Sequence, residues 1–167
     1  MSETKAVGST KKLTTCALLT ALALIFSYIE FLVPLSLGIP GIKIGLANIV
    51  IVLALYSLGP VHALVINLVR IALSAMLFGN LFSALYALCG GLFSLAVMAL
   101  LKKTDVFSLT GVSMAGGADH NIAQLAAAAV IVGSAKVFLY MPVLVLAGMA
   151  AGIFNGIVCS LVMRKIK

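Results

Sequence analysis

The sequence predicts an all-α membrane protein, a bundle of about six transmembrane helices with both termini on the cytoplasmic side. Three observations carry this reading. Of 167 residues, 63% are apolar and only 9% charged, whereas a soluble domain carries about 25% charged residues. The apolar residues fall in runs of the length needed to cross a ~30 Å hydrocarbon core. The basic residues gather at the ends of those runs, mostly on one side of the implied bilayer. No linker, low-complexity tract or composition shift divides the chain, so one transmembrane domain is expected over 13–167, behind a polar cytoplasmic tail at 1–12.

The first helix is expected at 13–33. Lys11 and Lys12 imitate the start of a secretory signal, but the apolar stretch after them runs for about 20 residues and lacks a convincing cleavage site, so it is read as a retained span. Pro34 and the S-L-G-I-P-G run stop it, because proline cannot continue the hydrogen-bond ladder and glycine favours turns. The second helix, 43–57, begins at Lys43 and ends at Ser57-Leu58-Gly59-Pro60. At about 15 residues it is short for a ~30 Å core, which points to local thinning of the bilayer or to a helix that partly covers a cavity.

The third helix, 61–77, and the fourth, 81–101, are separated by the tight Phe78-Gly79-Asn80 turn. Lys102, Lys103, Thr104 and Asp105 then mark an aqueous loop. The fifth helix, 111–132, spans if Ala115, Gly116, Gly117 and Ala118 count as membrane-compatible. A short connection at 133–136 leads to the sixth, 137–163, before Arg164, Lys165 and Lys167. With this spacing Lys5, Lys11, Lys12, Lys102, Lys103, Arg164, Lys165 and Lys167 share one side, against Lys43 and Lys136 on the other. Basic residues mark cytoplasmic ends, so both termini and the loop at Asp105 are expected inside.

The net charge of +7 is thus topological; it forms no basic stripe with interleaved aromatics, and no nucleic-acid partner is expected. Cys16, Cys89 and Cys159 lie in separate apolar runs without C-x-x-C spacing, so neither a metal site nor a disulfide framework is indicated. Two Asp and two Glu, none adjacent, offer no carboxylate cluster for magnesium-dependent diphosphate chemistry. There is no G-x-x-x-x-G-K-[ST] loop for nucleotide phosphates. No catalytic residue and no cofactor is expected, and any motor must reside on another chain.

Ionisable groups inside a membrane are costly, by about 2.5–3.5 kcal/mol at mid-helix on insertion scales, which singles out the polar residues in these runs. Arg70 lies about ten residues, or ~15 Å, into the third helix, near the midplane. Asp119, His120, Asn121 and Gln124 fall at similar depth on the fifth, and His120 and Gln124 are spaced i, i+4 and project from one face. Asn48 and Asn155 are single amides on the second and sixth helices. Two readings stand side by side. Asn48, Arg70, His120, Asn121, Gln124 and Asn155 line a cavity for a polar substrate, or Arg70 pairs with Asp119 and the amides serve as interhelical glue. Glu30, Lys43 and Lys136 near the outer face either rim an entrance or are solvated loop charges. Ala17 and Ala21 on the first helix and Gly148, Gly152 and Gly156 on the sixth repeat at i, i+4, a spacing that lets helices approach closely. For the glycines the expected use is packing within the bundle.

The stretches I-K-I-G-L-A-N-I-V (42–50), H-N-I-A-Q (120–124) and M-P-V-L-V-L-A-G-M-A-A-G-I-F-N-G (141–156) resemble the bacterial Gx transporter family, commonly labelled heptaprenyl diphosphate synthase component I. That family in turn looks like the substrate-binding S components of energy-coupling factor transporters, in which a small-residue motif on helix one docks a transmembrane subunit driven by two ATPases. Ala17 and Ala21 match that motif in position. The resemblance implies a substrate-capture subunit of an importer in the bacterial cytoplasmic membrane, for a vitamin-like or isoprenoid-related small molecule. The alternative is a non-transporting membrane partner of an isoprenoid, quinone or flavin-linked enzyme complex.

Overall fold

Proline, glycine and short polar side chains set the helix ends in the computed structural model, which describes residues 2–33 and 45–166, with side chains over 10–33 and 45–165. The chain forms α1 (Ser2–Leu32), α2 (Leu46–Ser57), α3 (Pro60–Leu77), α4 (Leu81–Lys103), α5 (Leu109–Val132) and α6 (Met141–Ile166), with a 3₁₀ segment (Ala135–Tyr140) leading into α6. No strand occurs among the described residues.

Pro60 sits in the first turn of α3, where its missing N–H removes no helical bond. Asn80 and Ser83 cap α4 reciprocally: the Ser83 amide donates to Asn80 Oδ1 at 2.8 Å and the Asn80 amide to Ser83 Oγ at 3.0 Å. Ser108 fixes the start of α5 by accepting from the Gly111 amide at 3.1 Å, and Gly133, at φ +67°, ends it. Both residues lie just outside the expected span of 111–132, so α5 is slightly longer than its apolar pattern. The sixth helix departs further: 135–140 form a 3₁₀ segment and α6 proper begins at Met141, with Pro142 in its first turn.

At the N-terminus the segment expected to be a tail is helical from Ser2 onward. Thr14 and Thr15 donate to the carbonyls of Thr10 and Lys11 at 2.9 Å, so these hydroxyls are satisfied without leaving the helix. The expected start of α2 at Lys43 lies outside the described residues, as does the proposed rim position of that lysine.

Among the described residues four helical spans, 10–32, 60–77, 81–103 and 135–165, are long and apolar enough to cross a membrane. The α2 helix is too short, and the α5 helix, which carries Asp119, His120, Asn121 and Gln124, is less apolar. Large side chains such as Leu13, Leu18, Met76, Phe93, Leu146 and Leu161 cover the outside. Among the buried residues are Asn67, Arg70, Ser94, Ser113 and Asn155. An apolar exterior around buried polar groups is what a lipid solvent selects, and the chain is an all-α membrane bundle.

The core forms around α2. Ile51, Val52, Ala54 and Leu55 pack with Ala63 and Ile66 of α3, Leu95 and Met98 of α4, Val112 of α5 and Cys159 of α6. This explains the shortness noted in the sequence: α2 is enclosed by protein and does not need to match the lipid thickness. The α5 and α6 helices approach each other closely through their glycines. A Cβ at Gly117 would overlap the Gly148 carbonyl, and one at Gly152 would stand 2.5 Å from the Ser113 carbonyl oxygen. The glycine stripe of α6 is therefore consumed by internal packing.

Candidate functional site

Glycine and serine on the inner helix faces leave a cavity of about 410 Å³ in the middle of the bundle. The residues flagged in the sequence, Asn48, Arg70, His120, Asn121, Gln124 and Asn155, all line it. They come from α2, α3, α5 and α6. Phe31, Phe78, Gly79 and Ser83 bound it at the end where α1 and α3 finish and α4 begins, and Phe78 packs on Tyr28 and Phe31 with ring centroids 5.4 and 5.3 Å apart.

Arg70 is 8% exposed, so its charge is held by other groups. Its Nε and Nη2 donate to Asn67 Oδ1 at 3.1 and 3.0 Å, and Nη1 donates to Ser27 Oγ at 3.4 Å. Asn67 precedes Arg70 by one turn on α3, and the two side chains form a local clamp that fixes the guanidinium plane. The pairing of Arg70 with Asp119 considered from sequence does not occur. Asp119 does not line the cavity and its buried Oδ2 has no hydrogen-bond partner. Equal depth on two helices says nothing about the rotation of each about its axis, and α5 turns His120 and Gln124, not Asp119, toward the cavity.

Glu30 does more than rim an entrance. Its Oε1 accepts from the backbone N–H groups of Gly45 and Leu46 at 2.6 and 2.9 Å, placing a carboxylate on the N-terminus of α2, where the helix dipole favours negative charge. Gly45, at φ +75°, adopts a left-handed conformation that only glycine takes cheaply. Its carbonyl in turn accepts from Asn155 Nδ2 at 3.1 Å. A continuous chain of hydrogen bonds thus runs from α1 through the start of α2 to α6 along one wall of the cavity. Asn155 is 4% exposed and its Oδ1 has no partner.

The other flagged residues divide. Asn121 lines the cavity but donates from Nδ2 to the Leu144 carbonyl at 2.6 Å, which ties α5 to α6. Asn48 stands beside Gly45, its Nδ2 3.3 Å from where a Gly45 Cβ would be. His120 and Gln124 face α4, where Gly90 makes room for both. Lys136 is exposed on the 3₁₀ segment and does not line the cavity. Ala17 and Ala21 lie away from it, exposed on the outer face of α1. Sequence reasoning missed Asn67 and the serines Ser27, Ser74, Ser94 and Ser113; the i, i+3 spacing of Asn67 and Arg70 was the signal available for the first. Among the described residues no three His, Cys, Asp or Glu side chains come together as a metal-ligand set.

A family model described as heptaprenyl diphosphate synthase component I matches residues 19–162. The comparisons with curated proteins and with solved structures give no match.

Proposed function

We propose that this chain, which belongs to the heptaprenyl diphosphate synthase component I family, is the membrane-embedded substrate-binding subunit of a small-molecule importer in the bacterial cytoplasmic membrane. The observation that carries the reading is the cavity. A bundle needing polar residues only as interhelical glue would pack them shut, whereas here six polar side chains from four helices face one space of about 410 Å³, a volume in the range of small-ligand sites. The substrate is a vitamin-like or isoprenoid-related molecule. The absence of a nucleotide phosphate loop from the sequence supports a division of labour in which separate ATPase subunits supply energy through a transmembrane coupling partner. Among the described residues no cluster of carboxylates, histidines or cysteines comes together to hold a catalytic metal, which agrees with a binding role.

The docking surface proposed for that partner is the outer face of α1, where Ala17 and Ala21 lie exposed one turn apart. Leucine at either position removes the flat strip without touching the core. Ala17→Leu and Ala21→Leu are expected to bind substrate normally while complex yield and uptake fall together, as read by co-purification with the coupling subunit and by transport in vesicles. Wild-type yield and uptake in both variants would count against the docking surface.

The orientation proposed from the basic residues places the termini and the Asp105 turn inside and the 3₁₀ segment at Lys136 outside. In a background without Cys16, Cys89 and Cys159, a cysteine at Asp105 should be labelled by a membrane-impermeant maleimide only after the cells are opened. Labelling of intact cells would reverse the orientation.

The family's own description favours a second reading, a non-transporting membrane partner of an isoprenoid-forming enzyme. It requires stable co-purification with a soluble prenyl synthase and no uptake in any reconstituted combination. The importer reading requires the converse.

A further inference from the structure

We infer that the occupant of the cavity is a small monoanion of the carboxylate class, seated on Arg70 and carrying an N–H or O–H donor for Asn155, and not a diphosphate. The inference deepens the proposed function and rests on the cavity being a binding site. A guanidinium has five N–H donors. Three are used in bonds to Asn67 Oδ1 and Ser27 Oγ, which leaves one on each Nη. Two donors from one plane suit the two oxygens of a carboxylate. Arg70 is held rigidly by Asn67, so little ordering is needed when an anion arrives.

Charge counting sets the class. Among the described residues that line the cavity, Arg70 and Glu30 carry the formal charges, with His120 as the remaining titratable group. Glu30 is compensated where it stands by two backbone amides at the N-terminus of α2, so that terminus is not free as an anion site and Arg70 is the charge left for an occupant. One guanidinium matches one carboxylate. A diphosphate brings two or more negative charges, and in a bundle surrounded by lipid the excess would be poorly compensated. The metal-ligand set that could neutralise it is absent among the described residues.

Asn155 supplies the second requirement. It lines the cavity with Nδ2 engaged by the Gly45 carbonyl and Oδ1 buried without a partner, and a buried acceptor left unsatisfied is costly. A donor on the occupant satisfies it. The occupant therefore pairs an acid with an amide, amine or hydroxyl group.

The test uses the full chain in detergent and matched probes built on hydroxytolyl, hydroxynaphthyl and hydroxyhexyl scaffolds, each prepared as carboxylate, primary amide and diphosphate. Millimolar carboxylates are expected to raise the melting temperature by about 3–5 °C, amides and diphosphates to do so much less, and Arg70→Gln to weaken carboxylate binding by about 10- to 100-fold. Arg70→Lys keeps the charge without the fork and should retain weakened carboxylate binding, which covers the case in which Arg70→Gln fails to fold. Diphosphates that stabilise as well as carboxylates would overturn the monoanion class and leave the cavity as a binding site. Amides that equal carboxylates, with the response unchanged in Arg70→Gln, would remove Arg70 as the anion seat while also leaving the cavity reading intact. If no probe of any class shifts the wild type, the cavity reading fails and the inference falls with it.

Discussion

Gly117→Leu and Gly152→Leu are expected to yield almost no monodisperse protein, because each places a side chain where the α5 and α6 backbones meet. Real Cβ atoms do not approach other heavy atoms within 3.0 Å, yet a Cβ at Gly152 would stand 2.5 Å from the Ser113 carbonyl oxygen and 2.7 Å from Met114 Cα. At Gly117 the obstruction is the Gly148 carbonyl. Backbone cannot rotate away as a side chain can, so the helices must separate. Overpacking of this kind costs about 1–3 kcal/mol and sometimes more, and Gly117→Ala should already sit at the upper end. The control is Gly111, where the nearest atom to a built Cβ is Ser108 Oγ at 3.5 Å, so Gly111→Ala should melt at or above the wild-type temperature. Thermal scanning and size-exclusion chromatography in detergent read both outcomes. Wild-type behaviour of Gly117→Leu would mean that α5 and α6 do not pack through these glycines.

Arg70→Met is expected to abolish substrate binding and to cost stability as well, since it strands Asn67 Oδ1, the acceptor of two Arg70 bonds, in a residue 1% exposed. An unsatisfied buried group costs about 1–3 kcal/mol. Removing its partner too should recover the loss, so Arg70→Met with Asn67→Leu is expected to melt near the wild type while still failing to bind. Asp119 should not substitute for Asn67 in this experiment. Arg70→Met with Asp119→Leu shares no hydrogen bond, and its effect should be the sum of the single changes. Recovery in the Asp119 double variant, and none in the Asn67 one, would restore the ion pair that the structure replaces. Restored stability with lost binding is the outcome that separates a pocket from glue.

Much of this architecture is legible in the sequence because a membrane bundle writes its boundaries in proline, glycine and lysine. Pro60, the Phe78-Gly79-Asn80 turn and Gly133 fall at helix ends as expected. The arginine and the amides that line the cavity were also legible, since such a side chain within an apolar run is conspicuous for its cost. Their partners were not. Whether Arg70 meets Asp119 or Asn67 depends on the rotation of α3 and α5 about their axes, which depth alone does not determine. Ser27 and Ser74 escaped notice because a serine in a helix satisfies its hydroxyl on a preceding carbonyl, as both do here, and nothing in the sequence separates that from lining a cavity. The capping role of Glu30 joins residues 15 and 16 positions apart, and no local pattern announces it.

The central claim, that the cavity holds a small molecule for transport, is tested most directly by mass spectrometry of what the purified protein releases on denaturation. The wild type and the Arg70→Met, Asn67→Leu double variant are compared at equal amounts of folded protein. A low-mass compound is expected to be released near stoichiometrically from the wild type and to be missing from the double variant. Equal release from both, or nothing beyond lipid and detergent from the wild type, would contradict it.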